Sequence, residues 1–300
     1  MKILIFGAGS IGSLFGAMLS KDNEVSLIGR KAHVKAINRT GLVIKDKTNL
    51  KVKIDAYDNV ENISYFPDLL IITVKAYDTK SAIMQAKKII GPDTTVMSLQ
   101  NGLGNIEILK KKLSSVQIIA GITTHGAMFS EPGIIIHTGI GSTIIGELNG
   151  KETERIKDIE NNFNNAKIRT NISQNILNEI WVKAIINSSI NPLTTFFQCK
   201  NGYLLKNLVL EKLVEKIIEE STSIAIANGI NISVEDMIKK TKHVIKSTKE
   251  NYSSMLQSLK KGKKTEIDSI NGKIVEFGKK QNIKSLMNEI MVYSIKNIIR

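Results

Sequence analysis

The chain has 300 residues, 42% of them apolar, with few prolines; this leaves no room for a long disordered portion and suits two domains of ordinary size. Its single cysteine, Cys199, excludes an intramolecular disulfide and fits a reducing cytoplasm, and no window of about 20 residues is apolar enough to span a bilayer. The formal charge of +14 is scattered, and its densest run, Lys260–Lys264, reads as a solvated turn without interleaved aromatics, so a nucleic-acid or membrane partner is not expected, whereas collection of small anions is.

Lys2 to Phe6 saturates with apolar residues like a buried parallel strand. Gly7, Gly9 and Gly12 follow it, and Ile11, Leu14, Phe15, Met18 and Leu19 supply the spacing of a helix packed on a sheet. A lysine before an apolar run could pass for a signal peptide, but the glycines and the strand-like Glu24 to Gly29 favour folded structure. In the order strand, turn, helix, the stretch Gly7-Ala8-Gly9-Ser10-Ile11-Gly12 reads as a dinucleotide-binding loop. Gly7 makes the tight turn, Gly9 lets the backbone approach a pyrophosphate, and Gly12 permits close helix–strand packing. The helix N-terminus offers free amides to the phosphates. The second strand, Val25 to Ile28, ends at Gly29-Arg30-Lys31, where an NAD-specific fold usually carries an acid; cations there favour the 2′-phosphate of NADP.

Gly41 to Lys45 and Leu50 to Ile54 read as a hairpin appended to the parallel sheet. Leu69 to Val74 is a continuous apolar strand ending at Lys75, and Thr94 to Leu99 another, ending at Gln100-Asn101; both ends lie at the ligand-binding rim of such a sheet. Ile118 to Ile122 forms a further strand. Ile134 to His137 and Ser142 to Ile145 suggest an antiparallel hairpin closing the domain, with His125 and His137 read as structural. Lys151 to Asn165 predicts an amphipathic helix and Lys167 to Thr170 a last short strand, which puts the domain boundary near Thr170, between an N-terminal domain of residues 1–170 and a helical one of residues 171–300.

The helical half opens with an unusual segment. From Ile176 and Ile180 the same helical face continues as Lys183, Asn187 and Asn191, so the stripe turns polar halfway along. Pro192 should kink or end that helix and free backbone groups near Asn191. An ammonium and two amides there could hold a small polar molecule, or could be a buried ion pair with amides tying down loops. Leu210 to Ala225 marks a long helix ended by Asn228-Gly229; Ser233 and Asp236 start another, whose stripe runs through Met237, Thr241, Ile245, Thr248, Tyr252, Met255 and Leu259. Thr265 reads as the cap of a last helix start, with Glu266 in its first turn, where a carboxylate is often only a dipole partner.

These motifs together resemble the ketopantoate reductase family along nearly the whole chain. The resemblance rests on Gly7 to Gly12, Thr73-Val-Lys-Ala76, Gln100-Asn-Gly-Leu-Gly104, Thr123-Thr-His125, Trp181 to Thr194, Asn201-Gly202, Asn251 to Gln257 and Thr265 to Gly272. It implies an α/β Rossmann-type dinucleotide-binding domain followed by an all-α domain, and NADPH-dependent reduction of 2-dehydropantoate to pantoate on the route to coenzyme A. Lys183 would be the catalytic acid, assisted by Glu266. Asn101, Asn187, Asn191, Asn201 and Ser254 would hold substrate or the nicotinamide end, while Arg30 and Lys75 would face the adenosine phosphate; no metal is implied. The chemistry fits these residue types, since hydride delivery to a 2-oxo acid builds negative charge that an ammonium stabilises and can protonate. The chain departs from the family at Ser258, where an aspartate is frequent, and at Leu286, where a proline is. A reductase of another 2-oxo acid and a non-catalytic dinucleotide sensor are the alternatives; monomer and homodimer stay open.

Overall fold

The computed structural model describes residues 1–113 and 116–298, so 299 and 300, the end of the expected helical domain, lie outside the described residues. The chain separates into two compact units, Met1–Gln100 with Asn105–Ile176, and Asn101–Gly104 with Leu177–Arg300.

In the first unit the elements run β1 (Lys2–Phe6), α1 (Ser10–Leu19), β2 (Glu24–Ile28), α2 (Lys31–Thr40), β3 (Leu42–Asp46), β4 (Leu50–Val52), β5 (Asp55–Tyr57) and β6 (Leu69–Ile72). They continue as α3 (Thr79–Ala86), β7 (Thr95–Ser98), α4 (Asn105–Lys112), β8 (Gln117–Thr123), β9 (Gly126–Glu131), β10 (Ile134–Gly139), β11 (Thr143–Glu147), α5 (Glu154–Asn165) and β12 (Thr170–Ile172). Eight strands form one sheet in the order β12-β11-β8-β7-β6-β1-β2-β5. The pairings from β5 through β8 are parallel, with β1 between β2 and β6 in a register that sets Phe6 beside both Ile28 and Ile72. The central strands β1 and β6 are buried on both faces, which is why they read as nearly uninterrupted Ile and Leu. The chain winds outward from β1 to β2 and then returns to β1's other side as β6, so the strand order reverses at β1. Ligands bind such sheets outside the carboxyl ends of the strands at that reversal. This is the Rossmann-type arrangement expected from the glycine loop.

Three details differ from the sequence expectation. The hairpin of β3 and β4 forms, but in a separate sheet of order β4-β3-β10-β9 rather than on the edge of the parallel one. The hairpin expected between Ile134–His137 and Ser142–Ile145 does not form. β10 instead pairs antiparallel with β9 across Pro132-Gly133, while β11 pairs antiparallel with β8 in the large sheet. Ile140 to Ser142 thus carries the chain from one sheet to the other. Gly141 is what permits it, since a Cβ there would lie 2.4 Å from the Thr124 carbonyl carbon. The last strand also starts later than Lys167, at Thr170, after Lys167 adopts φ 62°.

The second unit is helical: α6 (Ile176–Phe196), α7 (Leu208–Ala227), α8 (Val234–Ser247), α9 (Ser254–Lys260), α10 (Asn271–Lys280) and α11 (Leu286–Ile298). Its core gathers Trp181, Ala184, Ile185, Val214, Ile217, Met237 and Ile274. The single long helix expected from Ser233 to Leu259 is two. Thr248 donates its hydroxyl to the Val244 carbonyl at 2.7 Å, and the carbonyls of Lys249 and Asn251 accept from Gly202 and Asn201 instead of continuing the helix. Ser253 then caps α9 by accepting from the Leu256 amide. Thr265 caps nothing of the expected kind, because a 3-10 turn, Ile267–Ser269, intervenes before α10 starts at Asn271. Nor does α6 end at Pro192; it continues to Phe196. Proline cannot donate to the carbonyl four residues earlier. The Asn271 side-chain amide does so instead, reaching the Ser188 carbonyl at 2.9 Å.

Candidate functional site

In the first unit the expected cofactor residues gather at the strand-order reversal. Gly7 has φ +119°, and a Cβ on it would sit 2.6 Å from the Val74 amide nitrogen. Gly12 is equally closed, with the Gly7 carbonyl 2.3 Å and Thr73 Oγ1 2.5 Å from the position of an added Cβ. Gly9 is different: its added Cβ would meet nothing nearer than 3.9 Å. Two glycines are therefore required by packing, and the third leaves open space where the loop faces outward. Ala8 and Ser10 complete that loop, and Ile11 packs against the core. Gly9 caps α1 without a side-chain hydrogen bond, and the first turn of α1 carries no acidic residue, so its positive end is uncompensated by side chains. The donor set and the open cradle fit a pyrophosphate.

Neighbouring strand ends supply the rest. Arg30 is exposed at the N-cap of α2, just beyond β2, with Lys31 beside it and no acid in the first turn. Beyond β6, Thr73 donates its hydroxyl to the Gly7 carbonyl at 2.8 Å, fixing the glycine loop, and Lys75 caps the 3-10 turn Ala76–Asp78. Buried Gln100 donates to the Val74 carbonyl at 2.9 Å and to Thr79 Oγ1 at 2.7 Å, while Thr79 donates to Asn105. The roles of Thr73 and Gln100 were not read from the sequence; polar residues that directly terminate saturated apolar strands are the signal that could have found them.

The three buried histidines are structural in their bonding. His33 Nδ1 accepts from the Gly133 amide at 2.9 Å, so its Nε2 carries the proton and faces Ser13 Oγ, also at 2.9 Å. Burial lowers its pKa to about 4. His125 and His137 meet at 3.1 Å, and His137 reaches Thr48 at 2.8 Å. Burial, with His137 adding to it, pushes His125 down to about 4 as well. Among the described residues no group of His, Cys, Asp and Glu could hold a metal ion, and no helix is long and apolar enough to cross a membrane.

The second unit holds Asn101, Lys183, Asn187, Asn191, Asn201, Ser254 and Glu266. The fully buried face of α6 is Trp181, Ala184, Ile185 and Ser188, whereas Ile180, Lys183 and Asn187 are half-buried beside it. The polar stripe therefore borders the core rather than forming it, and Asn191 carries it inward. Glu266 is buried, 7% exposed. Lys183 is strongly perturbed: desolvation pulls its ammonium down to about 8, against the upward pull of the Glu266 carboxylate. A lysine poised near neutrality next to a carboxylate can both stabilise a developing oxyanion and surrender a proton.

The remaining expected groups are fixed by local hydrogen bonds and close backbone contacts. Leu103 donates its amide to the Ser269 carbonyl at 2.8 Å, and Gly102, at φ +83°, lies so close to Ser269 that a Cβ would sit 2.6 Å from its carbonyl oxygen. That docks the Asn101 loop on the turn that follows Glu266. Asn201 donates through Nδ2 to Thr248 at 2.9 Å, but its buried Oδ1 has no hydrogen-bond partner among the described residues. An orphaned buried acceptor is costly unless a ligand or water completes it. Thr194, just past Pro192, donates to Ser253 at 2.8 Å and so ties the start of α9, where Ser254 is exposed, to α6. Ser258 spends its hydroxyl on the Ser254 carbonyl at 3.0 Å.

Comparison with known proteins agrees with this geometry. The family model described as ketopantoate reductase PanE/ApbA matches residues 3–150, and its C-terminal counterpart matches residues 175–298. A 2-dehydropantoate 2-reductase of Pyrococcus abyssi is 43% identical, across 99% of this chain and 97% of its own length. Among solved structures, a PanE/ApbA family ketopantoate reductase from Ralstonia eutropha superposes with a TM-score of 0.92 at 29% identity, covering 100% of this chain and 98% of that one. A D-mandelate dehydrogenase solved with NADH and anilino(oxo)acetate superposes with a TM-score of 0.93 at 28% identity, covering 99% and 98%.

Proposed function

The chain belongs to the ketopantoate reductase family, and we propose that it is an oxidoreductase reducing the 2-oxo group of 2-dehydropantoate to give pantoate, with NADPH as reductant and Lys183 as general acid. The observation that carries this reading is the desolvated ammonium at the end of the half-buried Lys183 side chain, lowered to about 8 beside the buried Glu266 carboxylate. The reduced nicotinamide, when bound, supplies the hydride. Lys183 hydrogen-bonds the carbonyl oxygen, stabilises the charge that develops there, and gives it a proton. Glu266 keeps that lysine charged against desolvation and accepts a hydrogen bond from the substrate hydroxyl. Asn187, Asn191, Asn201 and Ser254 hold the carboxylate and hydroxyl groups, the orphaned Oδ1 of Asn201 accepting from a hydroxyl. Asn101 lies with the substrate and the nicotinamide end.

For the cofactor, Gly7 to Gly12 and the N-terminus of α1 hold the pyrophosphate, and Arg30 with Lys75 favours the additional phosphate of NADPH over NADH. A second reading, reduction of a different 2-oxo acid, is favoured by the similarity to the D-mandelate dehydrogenase. The test is the rate of nicotinamide oxidation with 2-dehydropantoate beside a panel of 2-oxo acids, with NADPH and NADH. Turnover confined to 2-dehydropantoate is expected. Turnover only on another acid would transfer the reading to that substrate, and cofactor binding without turnover on any of them would refute catalysis.

A further inference from the structure

A ring of buried polar groups joins four helices of the second unit and includes no residue assigned above to substrate or cofactor. Pro192 deprives the Ser188 carbonyl of its helical donor. Asn271, at the start of α10 and wholly buried, donates to that carbonyl at 2.9 Å and to Asn288 Oδ1 at 3.0 Å. Asn288, in α11 and also wholly buried, donates to Glu220 Oε1 at 2.7 Å and to Ser221 Oγ at 3.0 Å on α7. Glu220 in turn accepts the amides of Met287 and Asn288, both at 2.9 Å. The hydroxyls of Ser221 and Ser188, 3.3 Å apart, close the ring.

The orientation of Asn271 is determined by this ring. Both its Nδ2 protons are used on acceptors, and a flipped amide would set its oxygen against two oxygens. Its Oδ1 is left without a partner among the described residues, so the ring accepts an unsatisfied atom to keep the two donations. The segment just before Asn271 is short and internally tied: Ser269 and Ile270 both donate their amides to the Glu266 carbonyl at 3.1 Å. One end of this tied segment is Glu266, and the other is bolted to α6 one turn and a half beyond Lys183.

We infer that Asn271 is a positioning residue, which uses the carbonyl freed by Pro192 as its anchor and thereby holds the Glu266 segment in register with Lys183 on α6. The inference rests on the proposed roles of Lys183 and Glu266. Pro192 is then not a flaw in the helix but the source of the acceptor that Asn271 needs.

The test compares wild type, N271L, P192A and the double variant N271L/P192A, with K183A as control. Leucine keeps the branching of asparagine, is larger, and donates nothing, and alanine at 192 restores an N–H for the Ser188 carbonyl. The readouts are kcat, NADPH affinity, and the titration of Lys183 followed by NMR of a 13C-methylated lysine, which needs neither substrate nor cofactor. N271L is expected to lose at least about tenfold in kcat with NADPH affinity kept and to displace the Lys183 titration, and N271L/P192A to recover neither, because the restored N–H satisfies the Ser188 carbonyl without rebuilding the tie to α10; recovery in the double variant would overturn the inference. A kcat within about twofold of wild type and an unmoved Lys183 titration would overturn the inference even if thermal stability fell. If N271L yields no folded protein, the same comparison on N271S decides, because serine is smaller and keeps one donor. Failure of wild type on every 2-oxo acid would refute the proposed function, while the lysine titration would still judge the positioning.

Discussion

Replacing Glu266 by glutamine removes one negative charge next to Lys183 while keeping size and hydrogen-bonding capacity. In the wild-type protein desolvation and the Glu266 carboxylate oppose one another, leaving Lys183 at about 8. Even at the outer limit of about 6 Å for such pairs, and at an effective dielectric of about 25, a carboxylate contributes about 2 kcal/mol to the charged lysine, or roughly 1.5 pK units. E266Q should therefore bring Lys183 to about 6.5, and at pH 7.5 its charged fraction should fall from about three quarters to about one tenth. The assay is the pH profile of kcat/KM, read from nicotinamide oxidation, in which the basic limb reports the acid that protonates the substrate oxygen. That limb should move to lower pH by about one to two units in E266Q. A limb that stays in place, or moves upward, would show that Glu266 does not act on the general acid, whatever the loss in absolute rate.

Arg30→Asp should invert the preference for NADPH over NADH, because a carboxylate repels a 2′-phosphate and accepts from ribose hydroxyls; an unchanged ratio of the two kcat/KM values would discard Arg30 as the selector. G9A should fold with near-normal thermal stability yet bind dinucleotide poorly in a fluorescence titration, whereas G12A should lower the melting temperature, since only its Cβ collides with backbone; equal behaviour of the two would contradict the division of roles. His33 and His125 have folded pKa values lowered to about 4, so the stability they share is whole above the ordinary value of 6.5 and is lost as pH falls toward 4, up to about 3 kcal/mol each. Urea unfolding at pH 7 and 4.5 should show that loss, and H33Q should show a shallower one; parallel curves would contradict it. K183M should be more stable than wild type at pH 7 by about 2 to 3 kcal/mol, since a charged lysine with a folded pKa below its unfolded one opposes folding. That advantage should shrink between pH 8 and 10.5, and a variant less stable than wild type at pH 7 would contradict it.

The parts of the fold written in short-range pattern were legible. β1, the glycine turn and α1 declare themselves within Lys2 to Leu19, since a saturated strand, positions that exclude Cβ and a 3.6-residue stripe are all local consequences of packing. Strand partners were not legible in the same way. Ile134 to His137 and Thr143 to Glu147 carry equal pairing capacity, and their separation into two sheets goes with the close passage of Gly141 over Thr124, a contact between residues distant in the chain. The break between α8 and α9 was hidden because the apolar stripe from Met237 to Leu259 stays in helical phase across it; the carbonyls claimed there by Asn201 and Gly202 belong to another segment. In the candidate site, Lys183 was legible as a polar intrusion in an apolar stripe, but its partner Glu266 lies 83 positions away in the chain and was indicated only by the family resemblance.

The same reasoning explains why α6 carries both the core and the chemistry. A lysine on a loop would keep water around its ammonium and hold its ordinary pKa; one in the middle of the core would lose its charge altogether. Lys183 is between these limits because α6 turns one face, Trp181, Ala184, Ile185 and Ser188, into the core and leaves the adjacent stripe half-buried. Helical periodicity then places Asn187 one turn and Asn191 two turns along the same stripe, on a rigid backbone whose rotamers are limited by the packed face beside them. The acid and the groups that orient its substrate are thus spaced by the helix itself. The carboxylate that tunes the acid is spaced by a tertiary bond to that helix, which makes the Ser188 carbonyl, freed by Pro192, the point at which the local and the long-range parts of the site are joined.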